Sequence, residues 1–364
     1  MYGINTIFLD LIKNDYSEHL SEESYELDCS LGENPLGMID NFEFDFNPKD
    51  KISSYPHSDK DVCAAIINRF SDIVELENEN ISITCGSMGG LICLNRLLLK
   101  EGKDIIGIAP QFTAVIDDFR MYKANYHPVY LKKEKNFKFS VDDFLKEVEK
   151  YEDGYIYIDN PNNPTGQIID LNDIEKIISL AKDKNSFVCI DEAYGDYMEN
   201  KNSAINLISK YENLAVFRSI SKGLGGAGLR MGYMISNKFI TSLFKKVNIP
   251  FSTSEFSNCV AIKLLETDWN KKAVDFSKYG KNTLNNIIKN IKIAHTSNDV
   301  SISMFYVDNP NIDLEKEFIK GKVRVVSCSG YEGLSQNYIR INLNKDFDKM
   351  IKLITEIDAK LESK

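Results

Sequence analysis

Short apolar runs alternate with amphipathic stretches through the middle of the chain, and this alternation constrains the fold more than any other feature. The runs at residues 104–108, 187–190 and 214–217 have the length and composition of buried strands. Helical patterns lie between such runs, as at Val141–Val148, where Ser140 is the predicted N-cap. This order of elements requires a parallel sheet covered by helices. We therefore predict an α/β fold with a doubly wound, mostly parallel sheet.

The length of the chain predicts more than one domain. At 364 residues the chain is long for a single domain. After Pro250 the pattern changes, and a long, mostly polar helical stretch leads toward a second group of strands and helices. We predict an N-terminal arm at residues 1–40, a large domain at 41–250 and a smaller C-terminal α/β domain at 251–364. The arm is expected to pack near the smaller domain.

Composition limits the partners and the location of the protein. A formal net charge of −10 argues against nucleic acid and anionic membranes as partners, so substrate anions must be bound by local cations. No stretch has the length of a membrane span or the pattern of a targeting signal. The seven cysteines form no C-x-x-C pair, which favours buried thiols in a reducing cytoplasm. The four histidines are scattered, and no metal site is predicted.

Lys222 stands where an apolar strand gives way to a glycine-rich loop. Ser219 and Ser221 precede it, and Arg230 follows eight positions later. Two hydroxyls and a guanidinium can bind a dianionic phosphate, while a desolvated lysine near other cations stays neutral enough to attack a carbonyl. The pattern predicts a lysine that carries pyridoxal phosphate (PLP) as a Schiff base.

Two other interpretations fit parts of this loop. Gly223-x-Gly225-x-x-Gly228 matches the dinucleotide fingerprint, but that motif opens a helix and needs an acidic residue about 20 positions later. Residues 229–235 have a strand pattern instead, and Asn248 stands near the place of the acid. The second alternative makes Lys222 a solvated surface lysine, the usual environment of lysines.

Three further stretches supply what such a cofactor needs. The strand pattern at Tyr155–Asp159 leads into a loop whose two prolines can hold the Asn163 side chain still. Another strand pattern ends at Asp191, and an aspartate there can keep a pyridine nitrogen protonated. A third strand leads into a glycine turn and a helix start at residues 86–88, whose N–H groups suit a phosphate.

The motifs Asn-Asn-Pro-Thr-Gly, Asp-Glu-Ala-Tyr, Ser-x-Ser-Lys and Gly-Leu-Arg-x-Gly-Tyr occur in this order along the chain. In this order and spacing the chain resembles fold-type I PLP enzymes of the class I/II aminotransferase group. Within that group it resembles histidinol-phosphate aminotransferase and threonine-phosphate decarboxylase. The resemblance extends from Asn34-Pro35-Leu36-Gly37 to residues 338–342. It implies that the large domain has the PLP-dependent transferase fold.

The resemblance implies roles for individual residues. Lys222 holds PLP and then serves as the general base, and Asp191 keeps the ring nitrogen protonated. Asn163 and Tyr194 bind the ring O3′, and Phe112 stacks on the ring or is simply a core phenylalanine. The residues expected to hold the cofactor phosphate are Gly86, Ser87, Met88, Ser219, Ser221, Arg230 and Tyr55 of a neighbouring subunit. Tyr55 would make the active site a property of a homodimer, although packing within a turn is an equal alternative.

On the substrate side, the resemblance makes Arg340 the bidentate clamp for the α-carboxylate. Gly32 and Asn34 line the substrate site, with Gly32 where relatives acting on phosphate esters carry asparagine. Those relatives also carry an arginine just before the position of Cys328, where this chain has Val326 and Ser327. Arg324 either substitutes for that arginine from a displaced position or is a solvated surface residue.

We predict an aminotransferase that exchanges an amino group between an amino acid and a 2-oxo acid. The alternative is a decarboxylase of a phospho-amino acid, because residues 328–334 resemble the threonine-phosphate decarboxylase tail as well. Proton loss at Cα gives the first reaction and carboxylate loss gives the second. The preferred substrate is predicted not to be threonine phosphate. A non-catalytic regulator is not expected, since Lys222 and Asp191 are both present and there is no room for a DNA-binding domain.

Overall fold

A computed structural model of the protein describes residues 7–11 and 24–362. The strands are β1 Leu27–Asp28, β2 Ile81–Thr84, β3 Asp104–Ala109, β4 Asn125–Tyr130, β5 Tyr155–Asp159, β6 Phe187–Glu192, β7 Leu214–Ser219, β8 Gly232–Ser236, β9 Lys292–Ile293, β10 Ile302–Tyr306, β11 Val323–Arg324, β12 Val326–Ser327 and β13 Tyr338–Asn342. The α-helices are α1 Ile7–Asp10, α2 Pro48–Ile52, α3 Lys60–Arg69, α4 Gly86–Leu98, α5 Thr113–Met121, α6 Val141–Val148, α7 Leu171–Asp183, α8 Lys238–Val247, α9 Glu255–Leu265, α10 Trp269–Ile287, α11 Leu314–Lys320 and α12 Phe347–Leu361. Single-turn 3₁₀ helices occupy several of the connecting loops.

The main sheet has seven strands in the order β2-β8-β7-β6-β5-β3-β4. Strands β4, β3, β5, β6 and β7 run parallel, whereas β8 is antiparallel to both of its neighbours, β7 and β2. Strands β5, β7 and β8 are buried along their whole length, which is why they are apolar runs without alternation. The prediction of an α/β fold with a mostly parallel sheet is therefore confirmed.

Helices cover both faces of this sheet. On one face α3, α6, α7 and α9 pack against side chains such as Ile156 and Ile158 of β5. On the other face α4, α5 and α8 pack against Tyr155 and Tyr157 of the same strand. Successive residues of a strand point to opposite faces, so β5 contributes to both cores. Ser140 caps α6 by accepting a hydrogen bond from the backbone N–H of Asp143, as the sequence predicts.

The C-terminal part of the chain forms a second, antiparallel sheet with the order β12-β13-β10-β9. Helices α11 and α12 pack on it around a core that includes Phe305, Ile341 and Ile354. Strand β1 pairs with β11, so residues 27–28 lie beside this unit. The domain boundaries at residues 40 and 250 stay a prediction, and most of the proposed arm before residue 24 lies outside the described residues.

The strand register brings chemically active residues to one edge of the main sheet. Asp159 at the end of β5 pairs with Asp191 on β6, and Ser219 at the end of β7 pairs with Gly232 on β8. A Cβ at Gly232 would lie 2.6 Å from the Ser87 nitrogen, so only glycine allows β8 to pass so close to the start of α4. Within residues 7–11 and 24–362, no helix is long and apolar enough to cross a membrane.

Candidate active site

A cavity of about 340 Å³ opens at the edge of the sheet where β5, β6 and β7 end. The predicted site residues that line it are Gly32, Gly86, Ser87, Met88, Phe112, Asn163, Asp191, Tyr194, Ser219, Ser221, Lys222, Arg230 and Arg340. Lining residues that the sequence analysis did not identify include Glu33 and Asp159. Of the predicted residues, Asn34 and Tyr55 do not line it. The cavity thus unites residues from both ends of the chain.

Lys222 is partly buried in this cavity, directly after β7. Its Nζ atom lies 5.4 Å from the centre of the Tyr194 ring. Burial lowers the pKa of the Lys222 amine from 10.5 to about 8, and the positive charges of Arg340 and Arg230 act in the same direction, whereas the negative charges of Glu33 and Asp191 oppose it. A neutral amine is therefore accessible near neutral pH, as nucleophilic or base chemistry requires.

Asp191 lies on β6 at the inner end of the cavity and is only 4% exposed. Its Oδ2 atom accepts a hydrogen bond of 2.9 Å from the Tyr157 hydroxyl, and its Oδ1 atom accepts one of 3.0 Å from the Ala193 N–H. Burial raises the pKa of this carboxyl to about 6. A cation bound against Asp191 would stabilise its ionised form, because a buried carboxylate needs an opposite charge.

Asp159 is a second buried carboxylate, which the sequence analysis treated only as the last residue of a strand. Its Oδ2 atom accepts hydrogen bonds from the backbone N–H groups of Asn163 and Phe112, at 2.9 and 3.3 Å. Its Oδ1 atom accepts one of 2.8 Å from the Asn162 side chain. Burial raises its pKa to about 7. Asp159 thus ties together the two loops that present Asn163 and Phe112 to the cavity.

The opposite end of the cavity is rich in hydrogen-bond donors. Helix α4 begins at Gly86, whose φ of +66° is in the left-handed region. A Cβ at Gly86 would lie 3.2 Å from the Arg230 Nη2 atom, so glycine lets the guanidinium approach the start of the helix. Ser219 and Ser221 line the same region. Unpaired N–H groups at a helix start, hydroxyls and a guanidinium form a site for a phosphate dianion.

Arg340 connects the C-terminal sheet to this cavity. It is 5% exposed, its Nη2 atom donates to the Ser30 carbonyl at 2.6 Å, and its Nη1 atom donates to Asn163 Oδ1 at 3.2 Å. The Tyr331 hydroxyl donates to the same Asn163 oxygen at 3.2 Å. With its oxygen engaged twice, the Asn163 amide is oriented by residues from the far end of the chain. Tyr331 is another residue that the sequence analysis missed as part of the site.

Gly32 has a steric role at the mouth of the cavity. A Cβ at this position would lie 1.8 Å from the hydroxyl oxygen of Tyr194, which is impossible without moving that ring. The glycine that replaces an asparagine of the resembled enzymes therefore makes room for the Tyr194 hydroxyl. Next to it, the buried Asn34 side chain donates to the Gly223 carbonyl at 2.7 Å, so it supports the lysine loop from outside the cavity.

Tyr55 and Arg324 lie elsewhere. Tyr55 is 74% exposed, and its ring contacts that of Phe251, with centroids 4.9 Å apart. Arg324 pairs with Asp28 at 3.4 Å and stacks on Tyr25 outside the cavity. The displaced position considered for Arg324 therefore does not bring it among the lining residues.

The donor set fits PLP. The donors near Gly86 match a phosphate dianion, the buried Asp191 matches a protonated pyridine nitrogen, and Lys222 with its lowered pKa matches an aldehyde. No group of three or more potential metal ligands occurs within residues 7–11 and 24–362.

Comparison with known proteins identifies the family. The family model for aminotransferase class I and II matches residues 33–357. Because this match covers most of the chain, the protein belongs to the class I and II aminotransferases, a PLP-dependent family. The chain is 30% identical over 264 residues to a histidinol-phosphate aminotransferase of Thermoanaerobacter pseudethanolicus, covering 72% of each chain. It is 28% identical over 356 residues to that of Methanococcoides burtonii, covering 96% of this chain and 93% of the relative.

Solved structures share the fold. The histidinol-phosphate aminotransferase of Clostridium acetobutylicum superposes with a TM-score of 0.76 at 22% identity, over 92% of this chain and all of that one (100%). The Sinorhizobium meliloti enzyme in complex with pyridoxal-5′-phosphate gives 0.76 at 16% identity, over 93% and 92%. The L-threonine-O-3-phosphate decarboxylase of Porphyromonas gingivalis gives 0.70 at 16%, over 93% and 100%. At these identities the likeness concerns the fold alone.

Proposed function

We propose that this aminotransferase exchanges an amino group between an α-amino acid and a 2-oxo acid, with Lys222 as the cofactor-holding base and Arg340 as the carboxylate clamp. One observation carries the proposal: a single cavity contains a lysine with a pKa of about 8, a buried aspartate and a buried arginine. These three groups correspond to the cofactor aldehyde, the ring nitrogen and the substrate carboxylate.

Each residue has a physical task in this proposal. PLP, when bound, supplies an electron sink for the negative charge that develops at the substrate Cα. Asp191 holds the proton on the ring nitrogen, which that sink requires. Arg340 binds the α-carboxylate as an ion pair and so orients the Cα–H bond toward Lys222. The neutral Lys222 amine accepts the proton from Cα.

The decarboxylase alternative differs in the bond that breaks at Cα. An ion pair with Arg340 stabilises the ionised carboxylate and opposes its loss from Cα. A decarboxylase is supported by the resemblance of residues 328–334 to the threonine-phosphate decarboxylase tail and by the fold shared with the Porphyromonas gingivalis enzyme. Transamination is therefore the proposed reaction, and carbon dioxide release would indicate the alternative.

The test is a half-reaction with the purified holoenzyme. A panel of single amino acids and phosphoamino acids is mixed with enzyme in the absence of a 2-oxo acid, and the products are separated by chromatography. We expect pyridoxamine phosphate and the matching 2-oxo acid in equal amounts. Carbon dioxide from threonine or serine phosphate, without pyridoxamine phosphate, would establish the decarboxylase instead.

We also propose a homodimer with shared active sites, in which Tyr55 reaches the cofactor phosphate of the neighbouring subunit. Its support is that the contacting rings of Tyr55 and Phe251 are exposed, at 74% and 64%, and so form an aromatic pair that a second subunit would cover. The partners of the enzyme are then a second copy and small amino and 2-oxo acids.

Complementation tests the shared site. Lys222→Ala and Tyr55→Phe subunits are each impaired, but a heterodimer contains one site with native Lys222 from one subunit and native Tyr55 from the other. Mixing the two variants after partial unfolding should therefore raise activity above the sum of the separate proteins. A fully active monomer in sedimentation, or no gain on mixing, would exclude this arrangement.

The cytoplasm is the location that we propose. All seven cysteines are free thiols, and five of them are buried. Thiols of this kind persist in a reducing compartment. Cell fractionation with an antibody against the protein tests the location.

A further inference from the structure

The mouth of the cavity contains a carboxylate that the proposed mechanism does not use. Glu33 lines the same cavity as Lys222 and Arg340. Its residue is exposed, in contrast to the buried Asp159 and Asp191 at the inner end. Glu33 therefore lies on the side from which the substrate enters.

Hydrogen bonds hold this segment in place at Glu33 and at the residue after it. The Glu33 carbonyl accepts a hydrogen bond of 3.0 Å from the Asn342 side chain, in the same strand as Arg340. The next residue, Asn34, donates to the carbonyl of Gly223, the residue after Lys222. Glu33 is thus fixed between the strand that carries the proposed carboxylate clamp and the loop that carries the lysine.

The charges around the cavity are unevenly distributed. Among the lining residues that the structure describes, the cations are Lys222, Arg230 and Arg340. Under the proposed function each already has a partner: the cofactor aldehyde, the cofactor phosphate and the substrate α-carboxylate. The negative charge of Glu33 raises the pKa of Lys222, and its effect is larger than that of Asp191. The negative charge of Glu33 therefore acts on groups inside the cavity.

We propose, on the basis of the proposed function, that Glu33 selects the amino donor by side-chain charge and that the preferred donors are amino acids with a cationic side chain. A positive group beyond Cβ would form an ion pair with Glu33 while Arg340 holds the α-carboxylate. A side-chain phosphate or carboxylate would instead meet the negative charge of Glu33 while the three cations of this cavity are engaged, which disfavours it by repulsion and desolvation. Lys345 lines a separate pocket that Glu33 also borders and is not among the lining residues of this cavity.

The test compares donors that differ mainly in side-chain charge. For the holoenzyme, kcat/KM is measured with lysine and ornithine, with the neutral analogue norleucine, and with glutamate and phosphoserine, at low and high salt. We expect cationic donors to exceed anionic ones by at least about tenfold, with a smaller ratio at high salt. A preference for glutamate or phosphoserine in the native enzyme would overturn the proposal.

Variants then assign the preference to Glu33. Glu33→Gln should lower the ratio of lysine to glutamate turnover by about five- to tenfold, and Glu33→Lys should invert the preference. Glu266→Gln, the same chemical change at an exposed residue just after α9, should leave the ratio unchanged. An equal ratio in the native enzyme, Glu33→Gln and Glu33→Lys would show that Glu33 does not select the donor. Failure of every donor to yield pyridoxamine phosphate would refute the proposed function itself, which is a distinguishable outcome.

Discussion

The two walls of the cavity are built in different ways. The cofactor wall consists of Asp159, Asp191, Ser219, Lys222 and the start of α4, all at the ends of neighbouring strands of one sheet. The substrate wall consists of residues 32–33 and Arg340, which are about 300 positions apart and are joined by the hydrogen bond from Arg340 to the Ser30 carbonyl, 310 positions away. Strand register determines the first wall, whereas a few long-range hydrogen bonds determine the second.

The two walls therefore have different tasks: the cofactor wall carries the catalytic reaction, and the substrate wall selects the amino donor. The two carboxylates of the cofactor wall, Asp159 and Asp191, are buried and accept two or more hydrogen bonds each, as a preorganised catalytic site requires. Glu33 on the substrate wall belongs to a loop and is exposed, and loops are where specificity changes with little effect on the scaffold. Changes to the cofactor wall should therefore lower the rate with every donor, and changes to the substrate wall should alter the choice of donor.

The largest effect is expected from Lys222→Ala. Loss of both the covalent anchor and the base should reduce turnover by about four orders of magnitude or more with every donor. The visible absorbance of the holoenzyme should disappear, and borohydride should no longer attach PLP to the chain in mass spectrometry. Lys271→Ala, at an exposed position, is the matched control. An unchanged absorbance spectrum in Lys222→Ala would show that another lysine holds the cofactor.

Asp191→Asn should retain PLP but lose about 100- to 1000-fold in kcat for all donors, because the amide cannot keep the ring nitrogen protonated. The asparagine oxygen can still accept from the Ala193 N–H while its NH2 group donates to the Tyr157 hydroxyl oxygen, so both contacts remain hydrogen-bonded. Tyr157→Phe removes only that hydrogen bond and should cost about tenfold. Equal losses in the two variants would mean that packing, and not charge, is the contribution of Asp191.

On the substrate wall, Arg340→Gln should lower kcat/KM by about 10- to 100-fold, mainly through KM, since a charge-assisted contact to the α-carboxylate is lost. An amine donor without a carboxylate should be much less affected. Arg324→Gln, an arginine outside the cavity, is the control. If Arg340→Gln affected both kinds of donor equally, Arg340 would act through Asn163 rather than on the substrate.

Sequence predicted the cofactor wall better than the substrate wall, for a physical reason. Lys222, Asp191 and the residues of α4 follow recognisable strand patterns directly, so local sequence places them at one edge of a parallel sheet. Tyr331 reaches Asn163 from 168 positions away, and no local pattern reports such a contact. Asp159 was recognisable in principle, because it is the last residue of β5 and Asp191 is the second-last residue of β6, but its acceptance of the Phe112 N–H depends on how two loops meet.

The fold class was predicted from the alternation of strands and helices, because burial on both faces of a parallel sheet leaves an unmistakable apolar pattern. Gly32 was identified from a resemblance, but its contact with Tyr194 depends on tertiary packing that the sequence does not show. The role of Tyr55 stays a prediction, since it concerns a second subunit.

Asp159→Asn tests whether the buried Asp159 carboxyl makes the stability of the apoprotein depend on pH. Because burial raises the pKa of Asp159 from 3.8 to about 7, the protonated form is favoured in the folded apoprotein below about pH 7. The corresponding stability, roughly 4 kcal/mol, is present below about pH 4 and is lost as the pH rises toward 7. The apoprotein Tm should therefore fall less over this range in Asp159→Asn than in the native protein.

In the holoenzyme the same variant should lose about tenfold in kcat, because the N–H groups of Phe112 and Asn163 lose a charged acceptor. Asp183→Asn, at the exposed end of α7, controls for the change in composition. If the Tm of Asp159→Asn depended on pH as steeply as that of the native protein, Asp159 would not titrate in this range.

The smallest expected effect is a shift in the pKa of Lys222, on which the two charged residues of the substrate wall act in opposite directions. Arg340 is the strongest charge lowering that pKa, and Glu33 is the strongest charge raising it. In apoenzyme the rate of PLP capture should rise with pH through about 8, because only the neutral amine reacts. Arg340→Gln should move this midpoint upward and Glu33→Gln should move it downward, each by less than about one pH unit. Stopped-flow absorbance across pH measures both shifts. If both variants moved the midpoint in the same direction, they would change the burial of Lys222 and not only its charged neighbours. The two walls would then be coupled by packing and not by charge.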